Sequence, residues 1–219
     1  MTQSIKKTGK IEILYVQDAL CGWCYGLTPI VDKLRNHYSD DELTITPVHG
    51  GLWPGARARA MDKSLVSHLR SGMSKVTELT GQIFGERFHN NIVNNIKFIY
   101  DTEPAARAGI VIRFYNPTHE LAYLKDIQKA FFVNGLDPTH LDTFLSIIGS
   151  YGIQEDEFIK RYNSQQAVID TQHDFSQCAA WGVNGFPSLL YRMNGEMKTI
   201  TTGLCSFNYL VNFINKASG

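Results

Sequence analysis

The strongest chemical signal in this sequence is a pair of thiols two residues apart, Cys21-Gly22-Trp23-Cys24. The pair follows a short apolar run rich in β-formers, IEILYVQ at residues 11–17, which reads as a buried strand. It precedes Leu27, Ile30, Val31 and Leu34, whose spacing predicts a helix ending near Tyr38. A helix start presents unpaired N–H groups and a partial positive charge, which stabilise a thiolate and lower the thiol pKa. Two intervening residues place both sulfurs in the first turn, within reach of a disulfide. Cys21 is expected to be the attacking, more exposed sulfur, and Cys24, one turn in, to resolve the mixed disulfide. The competing chemistry is zinc, which in a closed tetrahedral site needs a second knuckle or a His pair. Cys178 and Cys205 stand singly and no HxxxH pair exists, so the strand–CxxC–helix context favours redox chemistry and no metal is expected.

The elements that must hold this pair can be read outward from it. The polar turn at residues 39–42 leads into LTITPV at 43–48, a second strand, completing a βαβ unit. From about Arg57 to Trp181 a 3.6-residue period dominates. Met61, Leu65, Leu69, Met73 and Val76 form one stripe, and Leu121, Leu124, Gln128 and Phe131 another. Pro104 and Pro138 suit first helical turns, and Glu155-Asp156-Glu157 suits a further helix N-terminus. A last helix of this block covers Gln165 to Ala180, with Val168, Phe175, Cys178 and Ala179 expected inward and Gly182 as its stop. Strands at 188–193 and 196–201 flank Asn194-Gly195, a two-residue hairpin signal, and Ser206 caps a final helix carrying Phe207, Leu210, Val211, Phe213 and Ile214. The order is β-α-β, a helical block, then β-β-α. Residues 1–56 and 182–219 thus form one α/β domain, and residues 57–181 an inserted helical domain.

Two further segments carry a family resemblance. Pro29, five positions after Cys24, lies inside the predicted helix, where it removes a backbone hydrogen bond. Gly182-Val183-Asn184-Gly185-Phe186-Pro187-Ser188 stands directly before the hairpin. With CxxC, these features resemble the thioredoxin superfamily. The long helical block resembles its DsbA type, and Asp18-Ala19-Leu20-Cys21-Gly22-Trp23-Cys24-Tyr25-Gly26 resembles the FrnE-like branch. The resemblance implies a thioredoxin-like fold with a large helical insertion and thiol–disulfide oxidoreductase activity. It implies a cis bond before Pro187, with the Phe186 backbone pairing with an extended substrate beside Gly22 and Trp23. Trp23 is expected on the exposed rim of the site.

The sequence departs from that pattern in two places. Gly22 replaces the proline more usual in the branch, which leaves the direction of exchange open. Tyr15 stands where many thioredoxin-like proteins bury an acid, six positions before the first cysteine. Asp18 is then the nearest candidate proton acceptor for Cys24, and a turn or cap role for Asp18 is equally consistent with its position. The resemblance also carries an alternative, a glutathione-dependent kappa-type transferase or isomerase. Those enzymes resemble this fold but typically have Ser in place of the first Cys, and the retained pair argues against that reading.

Among the remaining candidates, Cys178 reads as a buried small hydrophobe and Cys205 as structural. His49 is expected in a glycine-rich connecting loop beyond the second strand; that loop bordering the active site is the alternative. The chain has 219 residues, 43% hydrophobic and 19% charged, with 21 Lys and Arg against 21 Asp and Glu. That balance gives no electrostatic footprint for nucleic acid or a membrane surface. No apolar run reaches a membrane span and no secretory leader is visible, so a cytoplasmic location is expected, or a periplasmic one if a leader has been removed. Expected partners are thiol- or disulfide-containing proteins or small molecules. No cofactor is required, and glutathione is an allowed redox partner.

Overall fold

The computed structural model describes residues 10–193 and 196–217. Its centre is β1 (Ile11–Gln17), flanked by β2 (Leu43–His49) in parallel and by β5 (Ser188–Met193) antiparallel, with β6 (Glu196–Thr202) outside β5. The sheet order is β2-β1-β5-β6. A strand so placed is covered on both faces, which is why IEILYVQ is an unbroken apolar run rather than an alternating one. Ile13 and Tyr15 enter the main core with Leu27, Val31 and Leu34 of α1 (Gly22–His37). Leu14 and Val16 pack on the opposite face with Val48, Cys178 and Leu190. This is the α/β fold with a helical insertion that the element order predicts, in the thioredoxin-like arrangement that the resemblance implies.

The insertion runs from β3 (Arg59–Ala60) through α2 (Lys63–Thr80), α3 (Glu86–Phe88), β4 (Ile99–Tyr100), α4 (Glu103–Tyr115), α5 (Glu120–Phe132), α6 (Leu141–Ile148) and α7 (Glu155–Tyr162) to α8 (Gln165–Ala180). The chain then re-enters the sheet and closes with α9 (Phe207–Ala217). Pairs β3 and β4 form a small two-stranded sheet, too short for periodicity to reveal. Among the described residues no helix is long and apolar enough to cross a membrane.

Most predicted helix signals match the structure. Pro104 lies in the first turn of α4, the acidic run opens α7, and Ser206 Oγ accepts the Tyr209 N–H at 3.2 Å. Leu121, Leu124, Gln128 and Phe131 all point into the core from α5. Four details differ. Met61 is buried but precedes the α2 cap, Asp62. Pro138 begins no helix: Asp137 Oδ1 accepts the N–H and hydroxyl of Thr139, closing a local turn, and α6 starts at Leu141. The inward face of α8 is Ala167, Thr171, Asp174 and Cys178, while Val168 is 38% exposed, Ala179 is exposed and Phe175 half-buried. The face is rotated because Asp174 bonds to Arg113 and to the His49 N–H, outweighing the burial of Val168. His49 belongs to β2 and is buried, not part of a connecting loop. The predicted turn Asn194-Gly195 lies outside the described residues.

Candidate active site

At the end of β1 the chain turns through Asp18. Its Oδ1 accepts the Leu20 N–H at 2.9 Å and its carbonyl accepts the Cys21 N–H at 3.1 Å. The turn delivers Cys21 in extended conformation, φ −81° and ψ 117°, as the residue that opens α1. Its side chain makes no capping bond to the helix and faces a cleft instead. Cys21 is 5% exposed and Cys24 wholly buried, so the outer sulfur is Cys21, although by a small margin. The Cys21 Sγ lies 3.8 Å from the Phe186 carbonyl oxygen, and the Phe186–Pro187 peptide bond is cis.

One turn deeper, the Cys24 Sγ accepts the Asp18 N–H at 3.4 Å. Burial pushes the Cys24 thiol well above its ordinary value, and its hydrogen bond to Cys21 adds to the shift. Burial also raises the Asp18 carboxyl, partly offset by N–H donors from Leu52, at 2.7 Å to Oδ2, and from Leu20. Asp18 therefore ties three segments together: its own turn, the sulfur of Cys24, and the loop after β2. It does not cap α1, since the N–H it binds belongs to Leu20, two residues on.

Tyr15 addresses a different atom. Its hydroxyl donates to the Cys24 carbonyl at 3.1 Å, beside the Thr28 hydroxyl, which donates to the same oxygen at 2.9 Å. Burial pushes its phenol well above the ordinary range, so Tyr15 keeps its proton. Pro29 lies inside α1 and offers no N–H to the Tyr25 carbonyl four residues earlier. The Gln82 Nε2, just beyond α2, supplies that bond at 2.9 Å, and the Tyr25 hydroxyl donates to the Ile83 carbonyl at 3.1 Å. Gln82 has no motif signal, because its partner is 57 residues away.

The cleft over Cys21 is walled by Gly22 and half-buried Trp23 on one side and by Leu69, Gly72 and Met73 of α2 on another. Leu52, Trp53 and Phe186 complete it, with Tyr100 beneath. Tyr100 donates its hydroxyl to the Leu20 carbonyl at 2.5 Å, and Thr102 Oγ1 accepts the Trp53 N–H at 3.2 Å. The insertion thus fixes both loops that frame the dithiol. The loop after His49 does border this cleft, through Leu52 and Trp53, rather than serving only as a connector. Cys178 and Cys205 take no part in lining it; Cys178 is buried and Cys205 half-buried. Among the described residues no group of three or more His, Cys, Asp or Glu side chains is arranged to hold a metal ion.

A mixed sheet in this order, a dithiol opening α1 and a cis-proline loop against it define a thioredoxin-like class. The family model for the DSBA-like thioredoxin domain matches residues 12–214, and the chain belongs to that family. No curated protein sequence matches it. Among solved structures, it is similar to a Nitrosomonas europaea protein described as a “putative protein disulfide isomerase”, at 28% identity and a TM-score of 0.85, covering 94% of this chain and 97% of that one. It also shares its fold with the cytosolic disulfide reductase DsbM from Pseudomonas aeruginosa, at 20% identity and a TM-score of 0.75, covering 94% and 96% of the two chains. A 2-hydroxychromene-2-carboxylate isomerase shares the fold at 16% identity and a TM-score of 0.62, covering 94% of each chain.

Proposed function

We propose that this chain exchanges disulfides with thiol substrates through Cys21 and Cys24. The observation that carries the reading is the placement of the Cys21 sulfur at the start of α1, against the Phe186 carbonyl and open to the cleft. In the reductive direction, the Cys21 thiolate attacks one sulfur of a substrate disulfide. The substrate S–S bond breaks and the second substrate sulfur leaves as a thiolate. Cys24 then loses its proton and attacks the Cys21 Sγ, so the substrate's first sulfur departs and a Cys21–Cys24 disulfide remains. Two electrons pass from the protein dithiol to the substrate; the oxidative direction is the reverse. Asp18 takes the Cys24 proton in this scheme: its backbone N–H already donates to the Cys24 sulfur, and its buried carboxyl, raised by that burial, belongs to the same residue. Phe186 and Pro187 present backbone to the substrate, and Gly22 and Trp23 form the wall beside it.

The family and its disulfide isomerase and reductase neighbours support this chemistry. The DsbM neighbour, also solved with GSH, makes glutathione a reasonable redox partner, and its cytosolic description is compatible with a cytoplasmic location. The isomerase neighbour supports a second reading on the same fold, a glutathione-dependent transferase or isomerase. One experiment separates them. Cys21→Ser should abolish reduction of insulin disulfides, and Cys24→Ser should accumulate a mixed disulfide visible by mass spectrometry. Full reductase activity in Cys21→Ser overturns the reading, and glutathione-transferase turnover that survives the substitution favours the alternative.

A further inference from the structure

Phe186 and Leu52 each line two depressions. One is the apolar cleft over Cys21; the other is a groove walled by Gly50, Gly51, Phe175 and residues 183–185. One charged side chain lines this second groove, Arg57. Its Nη2 donates to the Gly51 carbonyl at 3.1 Å. Gly51 is itself fixed: its φ is +66°, and a Cβ there would sit 2.8 Å from the Phe175 ring. The Arg57 guanidinium is therefore anchored by one N–H, with the rest of its fork exposed. It has no ion-pair partner among the described residues. An anchored, unneutralised guanidinium is suited to a carboxylate, because the fork is planar and little order is lost on binding. The neighbouring Cys178 does not compete for disulfides there: its thiol donates to the His49 carbonyl at 3.5 Å, and burial pushes it up to about 12.

The geometry points to Arg57 as a specificity-determining residue that selects disulfides carrying a carboxylate on the flank beyond Phe186. This rests on the disulfide-exchange reading above. A substrate lying along the Phe186 backbone presents its sulfur to Cys21 and sends one flank past the ring toward Arg57. The other flank enters the apolar cleft. The chemistry is unchanged: Cys21 attacks, the carboxylate-bearing thiolate leaves, and Cys24 completes the two-electron transfer.

The test uses three small disulfides of similar size, namely dithiodipropionate, its neutral diamide, and cationic cystamine. Reduced protein is mixed with each at low ionic strength, and the Cys21–Cys24 disulfide is followed by acid quenching and thiol alkylation. The readout is the ratio of the dicarboxylate rate to the diamide rate. We expect this ratio to fall about fivefold in Arg57→Gln, as for loss of one partly exposed ion pair. Arg57→Lys should restore part of it, cystamine should be the slowest with the wild type, and added salt should shrink the wild-type ratio. Arg59→Gln controls for general charge, since Arg59 stacks 5.3 Å over Trp53 away from this groove, and it should keep the wild-type ratio. An unchanged ratio in Arg57→Gln, or an equal fall in Arg59→Gln, overturns the inference while leaving disulfide exchange intact. No oxidation by any of the three disulfides overturns the exchange reading itself and this inference with it.

Discussion

The dithiol and an ionic cluster under β2 are both built from buried ionisable side chains, but they are partnered differently. Arg113 donates to both oxygens of Glu120, each at 2.7 Å, to both oxygens of Asp174 at 2.9 and 2.8 Å, and to the Pro47 carbonyl at 2.9 Å. The His49 Nε2 lies 3.1 Å from Glu120 Oε1, and its Nδ1 lies 3.2 Å from Gln17 Nε2. Every charge there has an opposite charge or a dipole against it, so the cluster holds β2, α4, α5 and α8 together. At the dithiol, the Cys21 sulfur meets the Phe186 carbonyl at the long distance of 3.8 Å and its partner thiol Cys24, with no opposite charge against it among the described residues, and it opens on a cleft. The proposed reactive centre thus lies where opposing charges are missing, not where ionisable groups are most numerous. The same turn of chain links the two, because Gln17 enters the ionic cluster and Asp18 the dithiol.

That contrast can be broken in a definite order. Arg113→Met leaves Glu120 and Asp174 without their cation, and should lower unfolding stability by about 3–5 kcal/mol in urea denaturation. The reduction potential of Cys21–Cys24 should stay where it was; a shift as large as that of an Asp18 variant would show that the two clusters are not separate. Asp18→Asn should act the other way. It should slow resolution by Cys24 about a hundredfold, measured as decay of the mixed disulfide, and should remove an acid limb from the pH profile.

The same substitution carries a sign in stability. Burial raises the Asp18 carboxyl, so its unfavourable charge is absent below about pH 4 and grows as pH rises through the raised folded value. Asp18 thus gives stability at low pH that is lost toward neutrality, a slope the Asn variant should lack in denaturation series at several pH values. The smallest effect expected is that of Gln82→Ala, about 1 kcal/mol for one lost hydrogen bond to the Tyr25 carbonyl. A loss of the kind expected for Arg113→Met would instead make the end of α2 a principal support of the site.

The sequence made the dithiol legible because its parts are local. A strand, two thiols and an amphipathic helix lie within residues 11–37, and each reads by period and spacing. Phe186-Pro187 was legible only through resemblance, since nothing local places it against Cys21, 165 residues away. The ionic cluster was not legible. Thr171 and Asp174 look like an outer face of α8 by polarity, and become inner only because Arg113, 61 residues earlier, meets Asp174. His49 was marked for its surroundings, yet its burial depends on Glu120, on Gln17 and on Gly109, where a Cβ would come within 2.4 Å of the imidazole. Hydrophobic periodicity records how often a face is apolar; it does not record which polar groups find one another across the fold.

Pro29 has a consequence for modularity. By withholding an N–H, it makes the Tyr25 carbonyl depend on Gln82, while the preceding turn depends on the Tyr100 hydroxyl at Leu20. Both donors come from the helical insertion, although the atoms they satisfy belong to the first α/β unit. The helix that carries the dithiol is therefore not a transplantable part. Moved onto a minimal scaffold without residues 57–181, it would carry two carbonyls whose donors had been left behind, and the insertion and the dithiol are best inherited, trimmed or redesigned as one piece.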